Sequence, residues 1–126
     1  MRALRLAVSL VDELVNAELV IAHARYLPYL WAPDHVAEDE FSDLLDAQRK
    51  LVGEQVAREL DARLVQWRLE LREGEPSQVL RDLARETDAS FIVVGRRGWP
   101  TVEELLLGSV SNRLVHHAEV PVLLVR

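Results

Sequence analysis

Two periods of apolar residues alternate along this chain, one typical of helices and one typical of strands. Apolar residues that recur every three or four positions predict amphipathic helices, whereas strict alternation or a short apolar run predicts strands. The predicted helices cover residues 2–16, 38–60, 78–86 and 109–117, and the predicted strands cover 19–24, 65–72, 91–94 and 120–125. This alternation favours an α/β fold, in which a parallel sheet is flanked by helices in three α/β/α layers.

The composition predicts one soluble globular domain spanning residues 1–126, of which 49% are hydrophobic and 29% charged. The net charge is −6, with acidic and basic residues interspersed, and this argues against general nucleic-acid binding. Cysteine is absent, which excludes disulfides and thiolate chemistry and fits a reducing cytosol. No apolar run approaches the ~20 residues that span a bilayer, so we expect a cytoplasmic protein.

The candidate chemistry follows the strand predicted at 91–94, which is apolar on both faces as expected of an interior strand. Gly95 and Gly98 come directly after it, and Gly108 and Ser109 stand where the last helix is predicted to begin. Glycines let the backbone approach a ligand closely, and a helix start presents free N–H groups to an anion. The spacing alone is also explained by ordinary turn glycines, with Ser109 as a helix N-cap.

The spacing Gly-x2-Gly-x9-Gly-Ser resembles that of the ATP-binding members of the universal stress protein family. Three neighbouring segments resemble the same family, at residues 88–95 (DASFIVVG), 105–111 (LLLGSVS) and 118–125 (AEVPVLLV), and a less specific resemblance lies at 17–24 (AELVIAHA). This resemblance implies a Rossmann-like fold of the adenine-nucleotide α-hydrolase type. It also implies ATP, with Mg²⁺, as the ligand.

The resemblance assigns nucleotide-binding roles to residues at three places in the chain. They are Ala24 for backbone contacts to adenine, Gly95, Gly98, Gly108 and Ser109 for triphosphate and ribose, and Val110 and Ser111 for support from the next turn. No base or water-positioning residue stands out, so any ATP hydrolysis would be slow and no catalytic residue is assigned. The family resemblance therefore implies a stress-response or signalling module.

The beginning of the chain departs from the family pattern. Family members normally open with a central strand ending in an Asp that reaches the adenine, whereas this sequence begins in the helix that would follow. Without that strand, two strand edges would be left unpaired. We therefore expect either a rearranged sheet or a partner chain that supplies the pairing. The resemblance also implies a homodimer through the last strand, from Val120 to Val125, paired with its copy.

Other polar residues have alternative explanations. His23 is predicted to be a strand-end histidine with a hydrogen bond rather than a ligand. Arg96 and Arg97 could screen phosphate charge or be exposed loop side chains. His116 and His117 point about 100° apart on a helix and cannot jointly hold a metal ion, so no metal site is assigned.

Two other functions stay open at this point. The chain could be a family member that binds no nucleotide and acts through protein contacts. It could also be an α/β enzyme that transfers adenylyl groups, although the sequence offers no basic catalytic cluster for that reaction.

Overall fold

The structure, a computed structural model, describes residues 2–25, 38–60, 65–95 and 109–126. Helices and strands alternate through these ranges, as the sequence predicts. In chain order the elements are α1 (Arg2–Asp12), β1 (Glu18–Arg25), α2 (Glu38–Leu60), β2 (Gln66–Glu73), α3 (Pro76–Glu86), β3 (Ile92–Gly95), α4 (Ser109–His117) and β4 (Val122–Val125). None of the helices in these ranges is long and apolar enough to cross a bilayer.

The strands form two parallel pairs. β1 pairs with β2, so that Ile21 lies beside Leu69, and β3 pairs with β4, so that Val93 lies beside Leu123. Within the described ranges the two pairs are separate two-stranded sheets, and β1 and β3 each have a single neighbouring strand. Helix α1 lies against strands of both pairs.

Two apolar clusters hold the helices to the strands. In the first, Val8 of α1 packs with Val56 and Leu60 of α2 against β1 and β2. In the second, Ala84 of α3 and Leu114 of α4 pack with strands β3 and β4. Parallel strands flanked by helices confirm the predicted α/β fold.

Helix α1 ends earlier than its apolar pattern predicts. The helix was expected to continue to residue 16, but its last residue is Asp12. Leu14 donates its amide to the carbonyl of Val11, a tighter turn than α-helix, and Asn16 has a φ of 60°, which no helix accommodates. Val15 is therefore 90% exposed rather than part of the apolar stripe.

The strands begin one or two residues later than predicted in the second half of the chain. β3 starts at Ile92 rather than at residue 91, and β4 starts at Val122 rather than at residue 120. Pro121 precedes β4 and has no amide hydrogen for a sheet ladder, but its carbonyl accepts the amide of Ile92. The last strand is therefore shorter than the pattern suggests.

Candidate functional site

The best-defined part of the candidate site is the junction between the end of β3 and the start of α4. Gly95 is the last residue of β3, and α4 begins at Ser109. The Ser111 hydroxyl donates a hydrogen bond of 2.8 Å to the Gly95 carbonyl. Ser111 is 1% exposed, so this contact is shielded from water and fixes the first turn of α4 to the carboxyl end of β3.

The start of α4 has the electrostatic character that an anion needs. The first amide groups of a helix have no intrahelical acceptor, and the helix dipole places partial positive charge there. No acidic residue lies in the first turn of α4, so no carboxylate of that turn neutralises this charge. Ser109 is exposed to solvent at the helix start. The turn can therefore present N–H groups to a negatively charged ligand.

A second helix start lies close to α4 and is capped by Glu75. The Glu75 carboxylate accepts hydrogen bonds of 3.0 Å from the amides of Ser77 and Gln78, and it also accepts one from the Ser77 hydroxyl. Pro76 occupies the first helical position, where a missing amide hydrogen costs nothing. The start of α3 is therefore fully capped by its own sequence.

Glu75 also forms an ion pair with α4. The Arg113 guanidinium lies 3.2 Å from the carboxylate, measured from Nη1 to Oε1. Burial by itself would raise the pKa of Glu75, but the hydrogen bonds from Ser77, Gln78 and Arg113 outweigh it and lower the pKa to about 2. Glu75 is thus ionised at neutral pH and connects the start of α3 with the middle of α4.

The structure brings together only some of the residues that the resemblance assigned to the nucleotide. Gly95, Ser109 and Ser111 lie at the β3–α4 junction, and Val110 packs in the second apolar cluster. Ala24 lies near the end of β1, in the other strand pair, and is partly buried beside Arg72. The remaining loop residues named from the sequence, Gly98, Gly108, Arg96 and Arg97, lie outside the described ranges.

The hydrogen bond expected of His23 is not formed by its Nε2 atom. That atom is buried, and no partner is found for it within the part of the chain that the structure describes. The neighbour of His23 in the sheet register is Leu71, whose side chain offers no polar group. Among the described residues, no three His, Asp or Glu side chains are grouped to hold a metal ion.

The Glu75–Arg113 pair is the feature that the sequence analysis missed. A carboxylate directly before a proline, ahead of the helix predicted at 78–86, could have identified Glu75 as a helix cap. Nothing local distinguishes Arg113 from other helical arginines. Its partner lies 38 positions earlier in the chain, so only the packing of α3 against α4 reveals the pair.

Comparison with known proteins gives one consistent family. Residues 1–126 match the model of the Universal stress protein family. A universal stress protein of Methanothermobacter thermautotrophicus is 32% identical over 135 residues, which cover 92% of this chain and 88% of that protein. With the universal stress protein Sll1388 of Synechocystis, the identity is 42% over 57 residues, which cover 45% of this chain and 37% of that relative.

Solved structures agree with this family at the level of the fold. The protein MJ0577 superposes with a TM-score of 0.77 at 22% identity, covering 98% of this chain and 88% of its own. A universal stress protein in complex with cAMP has a TM-score of 0.61 at 27% identity, and the superposition covers 99% of this chain and 87% of that protein. A universal stress protein from Archaeoglobus fulgidus in complex with dAMP has a TM-score of 0.66 at 22% identity, and the superposition covers 99% of this chain and 86% of that protein. The chain belongs to the universal stress protein family.

Proposed function

We propose that this protein binds an adenine nucleotide, ATP with Mg²⁺, in a stress-response or signalling role. The observation that carries the proposal is the start of α4, where a helix N-terminus with no acidic residue in its first turn is fixed to the carboxyl end of β3. In open parallel sheets, ligands bind beyond the carboxyl ends of the strands. The relatives solved with cAMP and with dAMP support an adenine nucleotide as the ligand class.

The roles proposed for the individual residues follow from their positions. The amides at Ser109 and Val110 face no acidic residue in their own turn and would hold phosphate oxygens, with the Ser109 hydroxyl. Gly95, Gly98 and Gly108 would let the backbone approach the phosphates. Because the Ser111 hydroxyl is buried and already donates to the Gly95 carbonyl, Ser111 would hold this turn in place without contacting the ligand. Ala24 would contact the adenine through its backbone.

The test is calorimetric titration of the chain with Mg-ATP. We expect a dissociation constant on the order of 1 μM, equivalent to about −8 kcal/mol, because several converging amides are needed to hold a triphosphate. Gly108→Val should weaken binding by about 100-fold or more, since a side chain there would hold phosphate away from the amides of α4. Gly53→Ala is the matched control, because a Cβ at Gly53 meets no atom within 4 Å and the residue lies on α2.

Each outcome of this titration has a consequence. Binding that survives in Gly53→Ala and is lost in Gly108→Val supports the phosphate site. If the titration of the unsubstituted chain with ATP gives no binding heat, the proposal is contradicted. The remaining hypothesis is then a family member that binds no nucleotide and acts through protein contacts. Pyrophosphate release on incubation with ATP would instead indicate adenylyl transfer.

We also propose a homodimer, formed by pairing β4 with its copy. In the described ranges β4 has β3 as its one neighbour, and Leu123 is 39% exposed. A twofold pairing of this strand would cover an apolar sheet edge. Sedimentation should therefore give twice the chain mass of 14.4 kDa.

A charge at the proposed dimer edge should separate the subunits. Leu123→Glu places two like charges near the twofold axis, and we expect a monomer. Leu51→Glu is the control, because Leu51 is 62% exposed on α2 and lies outside the proposed interface. A monomeric unsubstituted chain, or a dimer that persists in Leu123→Glu, would contradict pairing through β4.

A further inference from the structure

We propose that Glu75 and Arg113 form a positioning pair, which holds the anion-binding turn of α4 in place and lets the site favour phosphorylated over unphosphorylated ligands. This inference rests on the proposed function. Arg113 lies one turn after Ser109, and its guanidinium is 3.2 Å from the carboxylate that caps α3. Neither residue is assigned a role by the sequence motif.

Hydrogen bonds from the start of α3 fix the Glu75 carboxylate of the pair. Glu75 is held by two amides at 3.0 Å, and Ser77, which donates to it through amide and hydroxyl, is 1% exposed. The carboxylate is therefore fixed before Arg113 meets it. A charge-assisted hydrogen bond is shorter and roughly twice as strong as one between neutral groups.

At its α4 end the pair acts together with a second contact. Ser111 connects the first turn of α4 to Gly95 of β3, and Arg113 connects the next residues to the start of α3. Two contacts with different elements restrict both the position and the direction of a short helix. Helix α4 has nine residues, and these two polar contacts add to the apolar packing of Val110 and Leu114 in fixing the direction in which its first amides point.

Positioning and simple charge attraction predict opposite results for Glu75. If the two side chains act only through their charges, then removing the Glu75 carboxylate should strengthen ATP binding, because a negative charge near the phosphates disappears. Removing the Arg113 charge should weaken it. If the residues position the helix, removing either one should weaken ATP binding.

The experiment compares ATP and adenosine binding in Glu75→Gln, Arg113→Gln and the double variant. We expect each single variant to raise the dissociation constant of ATP about tenfold, as the loss of one charge-assisted contact would, and to leave that of adenosine unchanged. The double variant should be no weaker than either single one, because the two residues act as a unit. A role in stability alone would lower the melting temperature without changing the ratio of the two affinities.

Matched controls come from an exposed ion pair that joins α3 to the segment after α4. Arg85 and Glu119 lie 3.2 Å apart and are 61% and 74% exposed, so Arg85→Gln and Glu119→Gln change net charge by the same amounts. Both should bind ATP as the unsubstituted chain does. Stronger or unchanged ATP binding in Glu75→Gln would overturn the positioning role.

Hydrogen exchange separates this inference from the proposed function. If the unsubstituted chain binds neither ATP nor adenosine, the nucleotide proposal fails. The role of the pair is then tested by the exchange rates of the Arg113 and Leu114 amides, whose hydrogen bonds close the first turn of α4. Glu75→Gln should make these amides exchange about tenfold faster than in Glu119→Gln, because the loss of a charge-assisted contact lets the turn open. Equal exchange rates in the two variants would overturn the pair's role in fixing α4.

Discussion

Replacing Leu114 by alanine should lower the free energy of unfolding by about 3 kcal/mol, because the substitution leaves a cavity between a helix and both strands of a sheet. Leu114 is 0% exposed and packs with Ala84 of α3 and Ile92 of β3. For a domain of this size, that loss corresponds to a fall in melting temperature of about 10 °C. Thermal and urea unfolding of the unsubstituted chain and of Leu114→Ala would measure this loss of stability.

The neighbouring residue provides the control for this truncation. Val115 follows Leu114 on α4 but is 50% exposed, and it is absent from both apolar clusters. Val115→Ala should change the free energy of unfolding by no more than about 0.5 kcal/mol, since alanine also favours the helix. Equal effects of the two substitutions would mean that α4 does not pack through Leu114.

Acid should remove a contribution of about 2 kcal/mol that Glu75 makes to the free energy of unfolding. The pKa of Glu75 falls from 4.5 to about 2 in the folded chain, despite the opposing effect of burial, because Ser77, Gln78 and Arg113 donate hydrogen bonds to the carboxylate. A full shift of this size is equivalent to ~3 kcal/mol, and we expect less because the side chain is 25% exposed.

The direction of the pH dependence follows from the lowered pKa. The unfolded chain binds a proton at Glu75 more readily than the folded chain, so the contribution is complete above pH 4.5 and is lost as the pH falls to about 2. The stability difference between the unsubstituted chain and Glu75→Gln should therefore be largest at neutral pH and shrink across this interval. Urea unfolding at a series of pH values would measure the difference.

A surface carboxylate serves as the comparison for the acid experiment. Glu86 is 53% exposed and accepts hydrogen bonds from Arg72, which lower its pKa. Exposed ion pairs contribute little to stability, so Glu86→Gln should show a much smaller pH-dependent difference than Glu75→Gln. A difference for Glu75→Gln that stays constant between pH 7 and pH 2 would contradict the ionised cap.

The order and type of the elements could be read from the sequence because each depends on local periodicity. Helix α2 has the predicted bounds, and α4 begins and ends at the predicted residues. The prediction for the end of α1 was wrong because an apolar residue need not be buried, and a turn at Asn16 overrides the helical pattern. The late start of β4 has a local cause in Pro121, which cannot donate to a ladder.

The candidate site was only partly predictable. The resemblance assigned Ser109 to the triphosphate and ribose and Ser111 to support from the next turn, but the residue pattern alone gave no physical reason for the difference. In the structure, Ser109 is exposed at the helix start, whereas the Ser111 hydroxyl is buried against the Gly95 carbonyl. Exposure decides which hydroxyl can meet a ligand, and exposure depends on neighbours that are distant in the chain.

The sequence by itself determined the alternation of helices and strands, the apolar faces and the family, because these follow from local residue patterns. Only the tertiary structure decided that the strands form two separate pairs and that Glu75 meets Arg113. The physical reason is the same in both cases. Strand pairing and ion pairing between distant residues depend on how whole elements pack, and that packing balances burial over the entire chain rather than over any one segment.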